Sequence, residues 1–237
     1  MTGGVLPPIN AKRVADYIVR RLRWYVREYA GKRAGVVGVS GGVDSGVTAA
    51  LTVRALEPEN TYCYVLPSFA TPKEDVEDAL ELIRMLRVPD TNYEVIDIDP
   101  IVRIFEEKLG EMDKVERGNV MARVRMIIPH QRAYRNNALV IGTGDKSELL
   151  LGYFTKYGDG GVDVLPIGGL YKTHVRQLAV HLGLSEKIAE ILGVDTGVVE
   201  MVIGRVKRSQ HKRLMPEVFH VGFRDLGSDW RYPREWF

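Results

Sequence analysis

Short apolar runs alternate with longer amphipathic stretches along most of this chain. Apolar runs at 35–39 (Gly-Val-Val-Gly-Val), 61–66 and 138–141 (Ala-Leu-Val-Ile) read as strands, and so does the segment 92–98. Between them, apolar residues recur at helical spacing. Val14, Ile18, Leu22, Tyr25 and Val26 predict a helix from about Asn10, its N-cap, to Ala30, closed by Gly31, with a largely arginine outer face. Further helices are predicted after Asp44, from about Pro72 to Leu86 with the proline at the first helical position, near Ile101–Leu109, near Asn119–Asn136, and at about Tyr171–Leu182, Glu186–Ile191 and Asp195–Ser209. Strands alternating with helices imply an α/β fold, a doubly wound parallel sheet with helices on both faces and a ligand crevice beyond the carboxyl ends of its strands. From Gly142 to Gly169 clustered glycines separate short polar segments, a texture of site loops. Phe219 to Phe237 is aromatic and arginine-rich without helical period and is expected to pack over a surface or across a partner.

Composition narrows the picture a little. At 237 residues one domain spanning 1–237 is expected, with a substantial core. A formal net charge of +2 requires neither a nucleic acid nor an acidic membrane. The single cysteine, Cys63, lies in a strand-like run and can form no internal disulfide. Met1 to Ile9 lacks the pattern of a signal peptide and no segment approaches a membrane span, so a cytoplasmic location is expected. Arginine outnumbers lysine while Asn, Gln and Cys are scarce, a weak hint of a heat-adapted source.

The sharpest chemical signal is the junction Gly38-Val39-Ser40-Gly41-Gly42-Val43-Asp44-Ser45, which follows the first strand and opens a helix. Adjacent glycines permit positive φ and close backbone approach, so N–H groups can converge on an anion at the positive end of the helix. The loop lacks the Gly-Lys-Ser/Thr ending of a Walker A. It resembles the pyrophosphate loop of N-type ATP pyrophosphatases, which cleave ATP between its α and β phosphates to adenylate a substrate.

Dispersed segments extend the likeness. Gly38–Ser45, Gly118–Arg123, Ile141–Glu148, the string Gly152-Tyr-Phe-Thr-Lys-Tyr-Gly-Asp-Gly-Gly-Val-Asp163, Leu170–Lys172 and Gln210–Pro216 together resemble the ammonia-dependent NAD synthetases, over about residues 10 to 216. The resemblance implies an adenine nucleotide alpha-hydrolase-like, Rossmann-like fold and a C–N ligase that adenylates deamido-NAD with ATP and then lets ammonia displace AMP, giving NAD and pyrophosphate. It implies Asp44 and Glu148 as magnesium ligands, with Lys172 on the ATP phosphates completing a catalytic set; Gly38 to Ser45, Thr143 and Lys172 as the ATP site; and Arg123, Lys156, Asp163, His211 and Lys212 as the deamido-NAD site. A symmetric homodimer is implied as well, with the arginine-faced first helix and the C-terminal segment as candidate contacts. Read alone, Asp44 is an ordinary N-cap, Glu148 a solvated first-turn acid, and the basic run from Arg205 to Arg213 a solvated helix end.

The likeness fails between Glu186 and Ile191, where the family continues into a polar lid of a few dozen residues that supplies another ATP-contacting hydroxyl. Either the protein lacks that lid or a loop is missing from the sequence; a water-excluding lid would protect a hydrolysable adenylate, which favours a missing loop. Rival functions are another N-type ATP pyrophosphatase, such as the synthetase subunit of GMP synthase or a tRNA-thiolating enzyme, and a non-catalytic nucleotide sensor. A thiolating enzyme would want a reactive cysteine pair, a GMP-forming one should lack the 153–163 string, and a sensor has no need of Asp44, Glu148, Lys156 and Lys172 together.

Overall fold

A computed structural model describes residues 7–184 and Lys212. The predicted helices at Glu186–Ile191 and Asp195–Ser209, the break between residues 186 and 191, His211 and the C-terminal aromatic segment lie outside the described residues. Four strands form one parallel sheet in the order β3-β2-β1-β4, with β1 at Ala34–Gly38, β2 at Thr61–Val65, β3 at Tyr93–Val95 and β4 at Ala138–Ile141. The register pairs Val36 with Tyr62 and with Val140. Alternate strand residues feed two apolar layers. Val37, Cys63 and Ile141 pack with α1 (Ala11–Trp24), α2 (Val43–Leu56), α3 (Lys73–Met85) and α7 (Lys172–His181) through Leu22, Leu51, Ile83 and Leu178. On the opposite face, Val36, Tyr64 and Val140 meet α4 (Asp99–Leu109) and α5 (Lys114–Arg135) through Val102, Val124 and Ala133. The sheet is therefore doubly wound. Chain order runs outward from β1 to β3 and then returns to the other side of β1, so the crossovers diverge between β1 and β4, where such sheets bind ligands.

Several boundaries differ from the sequence expectation. Asn10 caps α1 as predicted, accepting from Arg13 N–H at 3.0 Å, but the α-helix gives way at Tyr25 to a π-helical turn, Tyr25–Tyr29, before Gly31 closes it at φ +62°. The arginine face of α1 is partly committed within the chain. Arg23 and Arg27 donate to the carbonyls of Arg54, Ala55 and Leu56, at the negative end of α2. Pro72 precedes α3 at the N-cap instead of occupying its first turn. Helix α5 starts at Lys114, five residues before the expected Asn119, because Asp113 and Glu116 form a reciprocal capping box. Strand β3 is confined to Tyr93–Val95. Among the described residues no helix is long and apolar enough to cross a membrane.

Candidate active site

Both loops at the point of divergence carry residues that the sequence singled out. After β1 the backbone turns at Gly41, φ +83°, where an added Cβ would lie 2.4 Å from the Asp75 carbonyl oxygen; only glycine fits. Ser45 stitches this loop together, donating to Gly42 O at 2.9 Å and accepting from Ser40 N–H at 3.1 Å. Asp44 then falls in the first turn of α2, where the helix dipole favours an anion. After β4 the chain passes Gly142 and Thr143 into α6 (Lys146–Leu151), a short helix inside the stretch read as loop from its glycines. Asp145 caps it: Asp145 Oδ1 accepts from Glu148 N–H at 2.7 Å, and Glu148 Oε2 accepts from Asp145 N–H at 3.2 Å.

Lys172 opens α7, whose first N–H donates to Ser147 Oγ at 3.1 Å. Its ammonium reaches across to three carboxylates. It is bonded to Asp44 Oδ2 and lies 3.3 Å from both Asp145 Oδ2 and Glu148 Oε1. Asp145 is fully buried, whereas Asp44, Glu148 and Lys172 are each partly open. Three anions against one cation leave excess negative charge. Burial pushes the Asp44 and Glu148 carboxyls above their usual range in spite of Lys172. Burial opposes the charge on Lys172 too, but the Asp44 hydrogen bond and the surrounding carboxylates outweigh it and raise its pKa. Asp44 Oδ1 and Asp145 Oδ2 are buried with no hydrogen-bond partner among the described residues. Asp145 Oδ2 at least faces the Lys172 ammonium, whereas Asp44 Oδ1 is left over and suits a cation that brings further oxygen ligands of its own. Among the described residues no group of three His, Cys, Asp or Glu side chains is placed to hold a metal ion by itself.

Beside this cluster a cleft of about 450 Å³ runs from Ser40 and Thr143 over the strand ends, walled by Leu66, Thr71, Arg125 and Val162. Arg125 is tethered there, its Nε donating to Leu66 O at 2.9 Å. Of the predicted deamido-NAD residues, Arg123, Lys156, Asp163 and Lys212 lie around the loop 152–163. Arg123 Nη2 donates to Lys156 O at 3.4 Å, and the Lys156 ammonium sits 5.2 Å from the Tyr157 ring centre. Lys212 Nζ donates to Gly152 O and Phe154 O at 2.9 Å each. Asp163 Oδ2 accepts from Val140 N–H at 2.7 Å, pinning the loop to the edge of β4, and Val164 continues as a parallel bridge to Ile141. At the crossing, Gly142 approaches so closely that a Cβ would lie 2.5 Å from Val162 Cγ2.

The one residue of the charged cluster absent from the sequence expectation is Asp145. Its signal was present, since Asp-x-x-Glu at 145–148 is a capping pattern.

A family model described as NAD synthase matches residues 14–191. The NH(3)-dependent NAD(+) synthetase of Saccharolobus solfataricus is 44% identical over 271 aligned positions, covering 96% of each chain. That of Archaeoglobus fulgidus is 40% identical, covering 92% of this chain and all of its own. The first alignment, 271 positions against a chain of 237, places at least 34 residues of the relative opposite none of this chain. Two solved structures superpose over 90% of this chain and all of their own: an NH3-dependent NAD synthetase from Campylobacter jejuni with a nitrate ion, TM-score 0.82 at 30% identity, and an NMN synthetase from Francisella tularensis, TM-score 0.83 at 29%. The family model over residues 14–191 and relatives 44% and 40% identical along nearly the whole chain, with a sheet that superposes on a solved NAD synthetase, place the chain in the NAD synthase family.

Proposed function

We propose that this protein joins ammonia to the nicotinate carboxyl group of deamido-NAD at the expense of ATP, releasing NAD, AMP and pyrophosphate. The observation that carries the proposal is Lys172 held among Asp44, Asp145 and Glu148 at the head of the Gly38–Ser45 loop. A carboxylate is a poor electrophile. Its oxygen first attacks the α-phosphorus of ATP, the bond to the bridging oxygen breaks, and pyrophosphate leaves. Ammonia then adds to the acyl carbon, AMP departs with the original carboxylate oxygen, and the nitrogen loses a proton to solvent.

In this reading the Ser40–Ser45 loop presents its N–H groups to the triphosphate, Thr143 borders the nucleotide cleft, and Lys172 swings to the phosphates, where its charge offsets that on the leaving group. Asp44 and Glu148 would hold magnesium; when bound, the ion supplies positive charge to the phosphates. The buried, unpartnered Asp44 Oδ1 supports that assignment. Arg123, Lys156 and Lys212 supply cations for the dinucleotide diphosphate and carboxylate, His211 joins them by sequence, and Asp163 holds the loop that carries the site.

Ammonia is taken directly. The only cysteine, Cys63, is buried, and burial pushes its thiol up to about 12, which disqualifies it as a glutaminase or thiolating nucleophile. The working unit is a homodimer, and α4 and α5 fit its contact better than α1 does, because they expose Ile104, Phe105, Leu109, Val115, Ile127 and Tyr134. An active monomer by light scattering at micromolar concentration contradicts the dimer.

The test offers the purified chain ATP, magnesium and ammonium with deamido-NAD, nicotinate mononucleotide or xanthosine monophosphate in parallel. NAD with equimolar AMP from deamido-NAD is expected. Preference for the mononucleotide moves the substrate toward that of the NMN synthetase neighbour, and AMP formation only with the xanthosine nucleotide overturns the proposal.

A further inference from the structure

The lysine's three carboxylates are not equivalent. Asp44 and Glu148 are partly open, whereas the Asp145 side chain is fully buried and held in place. Its Oδ1 is committed to Glu148 N–H at 2.7 Å, its carbonyl accepts from Leu149 N–H at 3.0 Å, and its Oδ2 faces the Lys172 ammonium at 3.3 Å without a hydrogen-bond partner among the described residues. A helix cap needs only one oxygen, and serine or asparagine supplies it as well as aspartate. The second oxygen and the charge are surplus to capping, and burying a charge is unfavourable unless something uses it.

We propose that Asp145 is a positioning residue, the fixed counter-ion that keeps the Lys172 ammonium aimed at the phosphate site while Asp44 and Glu148 are occupied with substrate. This rests on the proposed reaction for the meaning of the phosphate site. When Asp44 and Glu148 turn to a divalent cation held with ATP, Lys172 loses two of its three partners. Asp145 cannot follow them, because the cap and the β4–α6 turn anchor it. It therefore sets the resting point from which Lys172 reaches, and through the same capping box it sets the first turn of α6 that presents Glu148. The lysine's position and the Glu148 backbone share one buried anchor.

The experiment is a double-mutant cycle of Asp145→Asn, Lys172→Met and the pair, with Asp145→Ser as a second variant that also keeps a cap. It reads melting temperature, ATP affinity by calorimetry in the presence of magnesium, and kcat and KM for deamido-NAD. Expected for Asp145→Asn is a melting temperature within a few degrees of wild type, KM for deamido-NAD within about twofold, and losses of about 10- to 100-fold in kcat, the usual range for a residue supporting a site ligand. In the Lys172→Met background the same substitution should change kcat and ATP affinity less than about twofold, since the residue it serves is gone. An equal loss in both backgrounds, wild-type kcat in Asp145→Asn and Asp145→Ser, or tighter ATP binding caused by removing a negative charge overturns the proposal. If the wild type binds ATP but makes no NAD, the proposed reaction fails while the cycle on ATP affinity still decides Asp145; no ATP binding by the wild type sinks both.

Discussion

Replacing Asp44 with asparagine should move stability and activity in opposite directions. In the resting protein three carboxylates share one ammonium. At an effective dielectric of about 20, a contact of 3.3 Å such as those of Asp145 and Glu148 with Lys172 is worth roughly 5 kcal/mol. Carboxylate oxygens that touch one nitrogen can be no farther apart than the two contacts laid end to end, and at about 6 Å each like-charge pair opposes folding by roughly 3 kcal/mol. Asp44 attracts one cation and repels two anions, so its charge comes out near neutral before burial is counted. Desolvation, the main cause of its raised pKa, then tips it to unfavourable. Asn keeps the shape and drops the charge. The substrate-free variant should gain about 1 kcal/mol, a rise in melting temperature of roughly 2–4 °C for a chain of this size. Turnover should fall by about 100- to 1,000-fold, because the charge is needed once the triphosphate arrives. Differential scanning fluorimetry without ligands and steady-state NAD formation at limiting magnesium read the two effects. A variant that melts several degrees lower and is inactive only in proportion to its unfolded fraction would refute the reasoning, as would wild-type turnover.

Substrate-free stability should also decline with pH across the carboxylate range. The folded-state values of Asp44 and Glu148 lie above the ordinary 3.8 and 4.5, so the folded protein binds more protons than the unfolded chain between the ordinary and raised values, and these two groups withdraw stability as pH rises through that window. Urea titrations of wild type and the Asp44→Asn, Glu148→Gln double variant should converge at the acid end and separate above it, the variant being the more stable; a separation of opposite sign contradicts the charge-excess picture. Gly41→Ala combines a positive φ with a clash against Asp75 O and should cost about 2 kcal/mol or more while abolishing ATP binding, whereas an unperturbed melting curve would show that the loop relaxes freely. Asp163→Ala frees the 152–163 loop from β4; the loss of a bond worth about 1.5 kcal/mol should raise KM for deamido-NAD roughly tenfold and leave that for ATP within about twofold, and equal rises in both would place Asp163 outside the dinucleotide site.

Three strands of the sheet were legible because they are short, nearly continuous apolar runs, and burial on both faces demands that pattern; β3, at the sheet edge with Glu94 and Val95 exposed, departs from it. Val36, Val37, Val140 and Ile141 could be placed in the core from the sequence, although only the register shows that neighbouring residues serve opposite layers. Helix starts built on side-chain caps were harder to see. Both α5 and α6 begin with Asp-x-x-Glu boxes, at 113–116 and 145–148, that were outweighed by apolar periodicity in one case and by flanking glycines in the other. The π-helical turn at Tyr25–Tyr29 has no period of its own to read; there Tyr25 and Tyr29 stack at 5.1 Å between ring centres. The motifs named Asp44, Glu148 and Lys172, but their meeting depends on a contact across 128 residues of sequence, and no local pattern reports that Asp145 completes it.

Adenylation itself is tested most directly by labelling the nicotinate carboxyl group of deamido-NAD with oxygen-18 and following the label through one turnover with ATP and ammonium. One labelled oxygen is expected in the phosphate of AMP, one in the amide of NAD, and none in pyrophosphate. Label in pyrophosphate, or unlabelled AMP formed together with NAD, would contradict attack of the carboxylate on the α-phosphorus at the site built by Asp44, Glu148 and Lys172.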